Sequence, residues 1–388
     1  MINERYREDR ERRRLGSLTV YAGPTHSGKT KKLEAEAERA MRQGRRMQRL
    51  TAVADANELL NQLDPLTELV TVDDAQHYDD RLLDVLNDLA TLHRVDVVAA
   101  GWELDYAGRA AGPMPELLCA ADFASKLDDG VCAQPGCRNL ASRTQRFHAI
   151  NGTPERFLPV CRRHHTAEAR ALTFQEIWFD EPSGSLDLIS GCMFSGKTQE
   201  LIRRLDQARY AGSTIQAFKP ALDDRYAIEA VASHREIRFP AIAVPDAGAL
   251  RDQLRDETRV VGIDEAQFFG PDIVSLAEEL ASRGRHVIIA GLDLDFLARP
   301  FGPMPLLAAH ADRLTKLQAS CQYADCGSRQ ATRTQRLVDG VPAPVDAPLV
   351  VIGGAATYQA RCRHHHRIGL APRSEPEAVT VAEESAEL

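Results

Sequence analysis

The sequence predicts an α/β protein made of two tandem domains, each with a mainly parallel sheet and each followed by a small Cys/His-rich subdomain. Three observations lead there. The chain has 388 residues, longer than one ordinary domain. Several sequence blocks occur twice in the same order. Within each copy, short apolar runs alternate with helical patterns, as parallel sheets require.

GPTHSGKT, from Gly23 to Thr30, returns as GCMFSGKT from Gly191 to Thr198, and VDDAQ (Val72 to Gln76) returns as IDEAQ (Ile263 to Gln267). Gly101–Tyr106 matches Gly291–Phe296, and Gly112–Pro115 matches Gly302–Pro305. Arg143–Arg146 returns as Arg333–Arg336, and Cys161–His164 as Cys362–His365. Chance likeness of common motifs cannot produce that collinearity. The expected layout is a charged arm over 1–15, a first domain over 16–178, a polar Pro/Gly linker over 179–185, a second domain over 186–370 and an acidic tail over 371–388. In the second domain the apolar runs Leu186–Ile189, Thr214–Phe218, Val260–Ile263 and His286–Ala290 read as strands, and a helix begins at Lys197.

A hydrophobic fraction of 44% and a charged fraction of 27% are those of a soluble globular protein. No apolar run is long enough to span a membrane and the N-terminus has no signal-peptide core, so a cytoplasmic location and no membrane partner are expected. The net charge of −8 argues against nucleic acid as a partner. Residues 1–14 hold six Arg interleaved with four acids, which reads as a solvated arm. Eight cysteines in such a chain suggest metal binding sooner than disulfides.

Both copies carry a complete G-x4-G-K-T between an apolar strand and a helix. Glycines let backbone N–H groups wrap phosphates, and the helix N-terminus adds a favourable dipole. Gly191, Met193, Ser195, Gly196, Lys197 and Thr198 would therefore bind ATP, with Lys197 on the β- and γ-phosphates and the Thr198 hydroxyl on Mg²⁺. Gly23, Gly28, Lys29 and Thr30 are the first-copy counterparts. Asp264 closes a buried strand, where a carboxylate can hold the metal's water shell, and Glu265 beside it can act as a general base.

Cys321-x4-Cys326 with Cys362-x2-His365 supplies three thiolates and one imidazole, a closed tetrahedral Zn²⁺ set. Cys132, Cys137, Cys161 and His164 repeat it. Four ligands leave no open position, so two structural zinc ions per chain are expected. The adjoining His165, His364 and His366 leave the choice of imidazole open by one position. Cys119 and Cys192 remain, as packing residues.

Over essentially its whole length the second copy resembles the zinc-containing, cytosolic-type thymidine kinases. The carrying segments are Gly191–Thr198, Lys219-Pro220 with DDRY from Asp223 to Tyr226 and Ser233-His234, DEAQFF from Asp264 to Phe269, Gly291–Phe296, RPFG from Arg299 to Gly302, the zinc cysteines, and VIGGAATY from Val351 to Tyr358. The resemblance implies that Glu265 deprotonates a nucleoside 5′-hydroxyl for in-line attack on ATP. It implies further that Arg225 helps hold the transferring phosphoryl group, with Asp223 beside it. Met193, Leu292, Phe296, Phe301 and Tyr358 would wall the base pocket, and Gly354 would lie in a zinc-anchored lasso that closes over the base.

The first copy departs from that pattern. Lys29 to Asp73 is 44 positions and Lys197 to Asp264 is 67, so the first copy lacks 23 positions where Asp223, Arg225 and His234 stand. Asp74 stands for Glu265, Ala111 for Phe301, Phe157 for Tyr358 and Thr153 for Gly354. The expectation is thymidine phosphorylation to dTMP by the second copy, a structural or regulatory first copy, and a dimer of tandem chains imitating a tetramer. The alternatives are a two-site deoxynucleoside kinase and a zinc-ribbon nucleic-acid-binding ATPase, the latter having no use for the Asp223/Arg225/Glu265 set.

Overall fold

The computed structural model describes residues 16–50, 62–127, 130–148, 155–168, 184–221, 230–232, 238–328, 330–351 and 357–370. The arm, most of the linker, the acidic tail, Asp223, Arg225, His234 and Gly354 lie outside them.

The first half is a five-stranded, all-parallel sheet of β1 (Leu18–Ala22), β2 (Met47–Leu50), β3 (Leu69–Val72), β4 (Asp96–Gly101) and β5 (Phe123–Lys126), in the order β2-β3-β4-β1-β5. Helices α1 (Lys29–Arg42), α2 (Leu82–Thr91) and α3 (Met114–Ala120) connect it. A two-stranded antiparallel ribbon, β6 (Arg143–Phe147) with β7 (Arg156–Val160), follows.

The second half repeats the plan. β8 (Ser185–Gly191), β9 (Ile215–Pro220), β13 (Val260–Ile263), β14 (His286–Gly291) and β15 (Arg313–Leu317) stand in the equivalent order, and β12 (Ile242–Val244) adds a sixth strand beside β9. A short hairpin, β10 (Ala230–Ala232) with β11 (Arg238–Pro240), precedes β12; neither it nor β12 has a counterpart among the described residues of the first half. The helices are α4 (Lys197–Tyr210), α5 (Ala247–Gln253), α6 (Asp272–Ser282) and α7 (Met304–His310). The closing ribbon is β16 (Arg333–Val338) with β17 (Val341–Pro342) and β18 (Tyr358–Arg361).

The expected strands form within one or two residues of their expected bounds, because each carries apolar residues on both faces, as a sheet covered on both sides demands. Leu186 and Leu188 of β8 point into one core, while Ile189 points into the other, with Leu201, Ile202 and Leu205 of α4. Those three helical positions make a single stripe, which fixes which face of α4 meets the sheet.

The larger core does not stop at the halves' boundary. Leu18, Leu86 and Leu117 of the first half and Leu186, Leu276 and Leu307 of the second belong to one buried cluster. Across it, α3 packs on α7 and β5 runs beside β15.

Polar contacts cross the same boundary in matched pairs. Arg143 and Arg162 both donate to the His310 carbonyl at 2.8 Å and pair with Glu278 and Asp312 of the second half. Arg333 and Arg363 both donate to the Ala120 carbonyl at 2.9 Å and pair with Asp122 of the first half. Asp122 and Asp312 in turn accept the Leu18 and Leu186 N–H groups at 2.9 and 2.8 Å. Lys126 pairs with Glu103 of its own half at 3.1 Å and caps carbonyls at the end of α7; Lys316 pairs with Asp293 at 2.8 Å and caps Leu118 and Cys119 of α3. The two halves therefore meet through the same surface on each, the arrangement of a two-fold dimer.

Candidate functional site

The site of the second half lies at the carboxyl ends of β8, β13 and β14, where open parallel sheets place ligands. Gly191 and Gly196 have φ of 148° and 88°. A side chain on Gly191 would run into the Leu317 carbonyl, so the loop can turn back under the helix only with glycine there. Lys197 is buried and its Nζ donates to the Cys192 carbonyl at 2.8 Å. Ser195 Oγ is buried and without a hydrogen-bond partner in the described residues, a polar atom that the loop leaves for a ligand. Met193 N–H donates to Thr334 Oγ1 at 3.0 Å, which ties the loop to β16.

Asp264 follows β13. Its Oδ2 accepts from the Thr198 hydroxyl at 3.0 Å and its Oδ1 from the Glu265 N–H at 3.0 Å. Burial, and then the neighbouring Glu265, push its carboxyl up to about 7. Glu265 itself sits at φ 53°, a left-handed conformation that is costly for a residue with a side chain. Gln267 fixes that carboxylate: its Nε2 donates to Glu265 Oε2 at 2.6 Å, while its Oε1 accepts the Leu292 N–H at 2.9 Å. Gly302, at φ 52°, lies so close to the Gln267 carbonyl that a side chain could not enter. Sequence reading missed Gln267, although it stands in the block that occurs as VDDAQ and IDEAQ.

The residues expected around the base come from three places. Phe301 meets Phe268 edge-on, with ring centroids 5.6 Å apart. The Arg336 guanidinium lies 5.3 Å from the Phe296 ring centre, and β16 pairs Arg336 with Tyr358. Tyr358 is buried and its hydroxyl donates to the Val351 carbonyl at 2.8 Å. Leu292 follows β14 and Met193 lies in the loop after β8. Phosphate loop, strand-end carboxylates and closing ribbon thus converge.

In the first half the same framework holds different chemistry. Lys29 Nζ donates to the Gly23 and Pro24 carbonyls at 2.9 and 2.7 Å, and burial pulls it down to about 8 against the pull of Glu103, Asp74 and Asp73. Gln76 spans Asp74 and the Trp102 N–H at 3.1 and 3.0 Å, repeating the Gln267 bridge. Tyr106 and Phe157 stand 6.0 Å apart where Phe296 and Tyr358 stand in the second half.

Each half also brings together three cysteines and one histidine: Cys132, Cys137, Cys161 and His164, and Cys321, Cys326, Cys362 and His365, with ligand atoms in each group within 4.8 Å of one another. The Cys137–Cys161 and Cys326–Cys362 sulfurs are 3.9 Å apart. Tetrahedral Zn–S bonds of ~2.3 Å put sulfurs about 3.8 Å apart, so both groups fit zinc. The adjoining histidines are engaged elsewhere: His165 with the Tyr106 carbonyl, His364 with that of Gly16 and His366 with that of Phe296, each at 2.9 Å. Cys119 and Cys192 are buried, as expected of packing residues.

A glycine-cradled lysine facing strand-end carboxylates, on a parallel sheet, defines a P-loop protein that handles nucleotide phosphates. The family model described as thymidine kinase matches residues 42–165 and 184–366, so the chain belongs to the thymidine kinase family. It is 51% identical over 185 residues to the thymidine kinase of Coprothermobacter proteolyticus, covering 48% of this chain and 91% of that protein. To the thymidine kinase of Deinococcus deserti it is 51% identical over 193 residues, covering 47% of this chain and 94% of that one.

Proposed function

We propose that the chain transfers the γ-phosphate of ATP to the 5′-hydroxyl of thymidine, and that the second half alone carries the reaction. The first half's Gln76 bridge holds only the shorter Asp74, and the observation that carries this reading is the Gln267 bridge to a glutamate. It holds the Glu265 carboxylate from the same amide that fixes the Leu292 backbone, so base and pocket wall keep one geometry. Glu265 takes the hydroxyl proton; Lys197 and the loop N–H groups hold the phosphates; Met193, Leu292, Phe296, Phe301 and Tyr358 exclude water around the nucleoside. Arg225 and Asp223 complete the phosphoryl end, and Gly354 belongs to the loop over the base, in the roles that the family resemblance assigns. Magnesium held by Thr198 and Asp264 would neutralise the transferring group.

In the first half, Gly23, Gly28, Lys29 and Thr30 keep a cradle for nucleotide without the nucleoside side, so its role is structural or regulatory. Zinc on the two Cys₃His groups would be structural. A cytoplasmic enzyme in which two tandem chains imitate four subunits fits the two-fold-like contact between halves; no helix among the described residues is long and apolar enough to cross a membrane.

Lys197→Ala should abolish phosphoryl transfer to thymidine, whereas Lys29→Ala should leave most of it. Equal losses in a steady-state assay would sink the single-site reading. Metal analysis should find two zinc ions per chain. Cys326→Ser should lower the thermal midpoint and raise KM for thymidine, since a structural zinc stabilises the fold directly. Full activity from metal-free protein would refute that role.

A further inference from the structure

The halves differ in what holds the strand-end aspartate. In the second, Asp264 Oδ2 accepts from the P-loop hydroxyl of Thr198 at 3.0 Å, so hydroxyl and carboxylate flank the place that a P-loop gives to magnesium. In the first, Asp73 Oδ1 keeps the equivalent bond from the Asp74 N–H at 3.1 Å, but Oδ2 is bonded by the Arg49 guanidinium at 3.2 Å. Arg49 stands on β2, which pairs alongside β3, and Asp73 is the first residue after β3. Thr30, the counterpart of Thr198, is exposed.

These first-half residues do not fit a magnesium ion. One carboxylate oxygen already faces a cation, and a dication entering beside a guanidinium meets like-charge repulsion. The ion pair is partly exposed and is worth little by itself. Its weight is positional. A planar fork of N–H donors stands beside a phosphate cradle, and guanidinium groups bind phosphate oxygens two at a time.

We infer that the first half takes a nucleoside polyphosphate without magnesium, with Arg49 and Lys29 neutralising the phosphates in the metal's place. This rests on the reading of the Gly23–Thr30 cradle as nucleotide-binding. It gives that cradle a distinct use: a site that prefers metal-free nucleotide is a binding site, because the γ-phosphate it holds is not activated for transfer.

The test uses the full-length, zinc-loaded chain carrying Lys197→Ala, which weakens the second cradle, and a shift is credited to the first cradle only where Lys29→Ala removes it. Thermal midpoints are read with ATP in magnesium-free buffer and with magnesium in excess of ATP. No chelator is used, since it would strip the Cys/His groups. Saturating ATP should raise the midpoint by roughly 3–6 °C without magnesium, and added magnesium should not raise it further. Adding Lys29→Ala should remove the shift. Adding Arg49→Ala should weaken ATP about tenfold in magnesium-free buffer, the loss of one charge-assisted contact, and make magnesium strengthen binding. Protection that appears only with magnesium would overturn the inference while leaving the nucleotide-binding reading intact. So would an Arg49→Ala chain that behaves like its parent. Protection under neither condition would overturn both.

Discussion

Glu265→Gln is expected to lower kcat on thymidine by ~10²–10⁴-fold, the usual worth of a general base, with ATP binding nearly unchanged. The substitution keeps volume and removes only the proton acceptor. The new amide can still present its oxygen to Gln267 Nε2, which donates to Glu265 at 2.6 Å, so the left-handed turn at residue 265 has its partner and the loop should keep its shape. Steady-state kinetics with a parallel ATP titration separate the two quantities. A kcat near that of the parent would remove Glu265 from the role of base, wherever the nucleoside binds.

Asp122→Ala should destabilise the chain by ~3–5 kcal/mol, as removing one partner from a buried ion-pair group does. Arg333 and Arg363 are buried against Asp122 and carbonyl oxygens, so without it neither guanidinium would have an acid at ion-pair distance among the described residues. Asp312→Ala should cost less, because Glu278 still faces Arg143 and Arg162. Urea unfolding of both variants checks the order, and equal losses would contradict it. The pH dependence has a definite sign. Burial alone would raise the Asp122 carboxyl, but Arg363 and Arg333 outweigh it and hold it down to about 2. A depressed carboxylate stabilises the fold fully above its unfolded pKa of about 3.9 and loses that contribution as pH falls. Stability should therefore drop between about pH 4 and pH 2, and Asp122→Asn should flatten that limb.

The expected strands and the P-loop were legible because each is a local pattern: an apolar run, a glycine spacing, a carboxylate at a strand end. The Cys₃His groups were legible for the same reason, down to a choice between neighbouring histidines. That choice needed the third dimension, since His366 turns to a carbonyl 70 positions away while His365 turns to the cysteines. Gln267 was visible as a letter in a repeated block, but its task depends on an N–H that β14 delivers from 25 positions away. Arg143 and Arg333, which open the two RTQR blocks, stood in the sequence as matched positions of the repeat. Their partners lie in the opposite half, and contacts between like surfaces leave no periodic trace in a sequence. Asp223, Arg225 and Gly354 lie outside the described residues, and their roles rest on resemblance.

The matched contact between the halves has a consequence for how such a chain can diverge. In a homodimer one gene writes both faces, so every substitution appears twice and must suit both. Here the faces are encoded separately, and they already differ: Arg363 meets the neutral Asn87 at 2.6 Å where Arg162 meets the acid Glu278. Covalent joining also makes the pairing intramolecular, so dilution cannot separate the partners. One half is thus free to drift away from catalysis while remaining, at every concentration, the partner on which the other half is built.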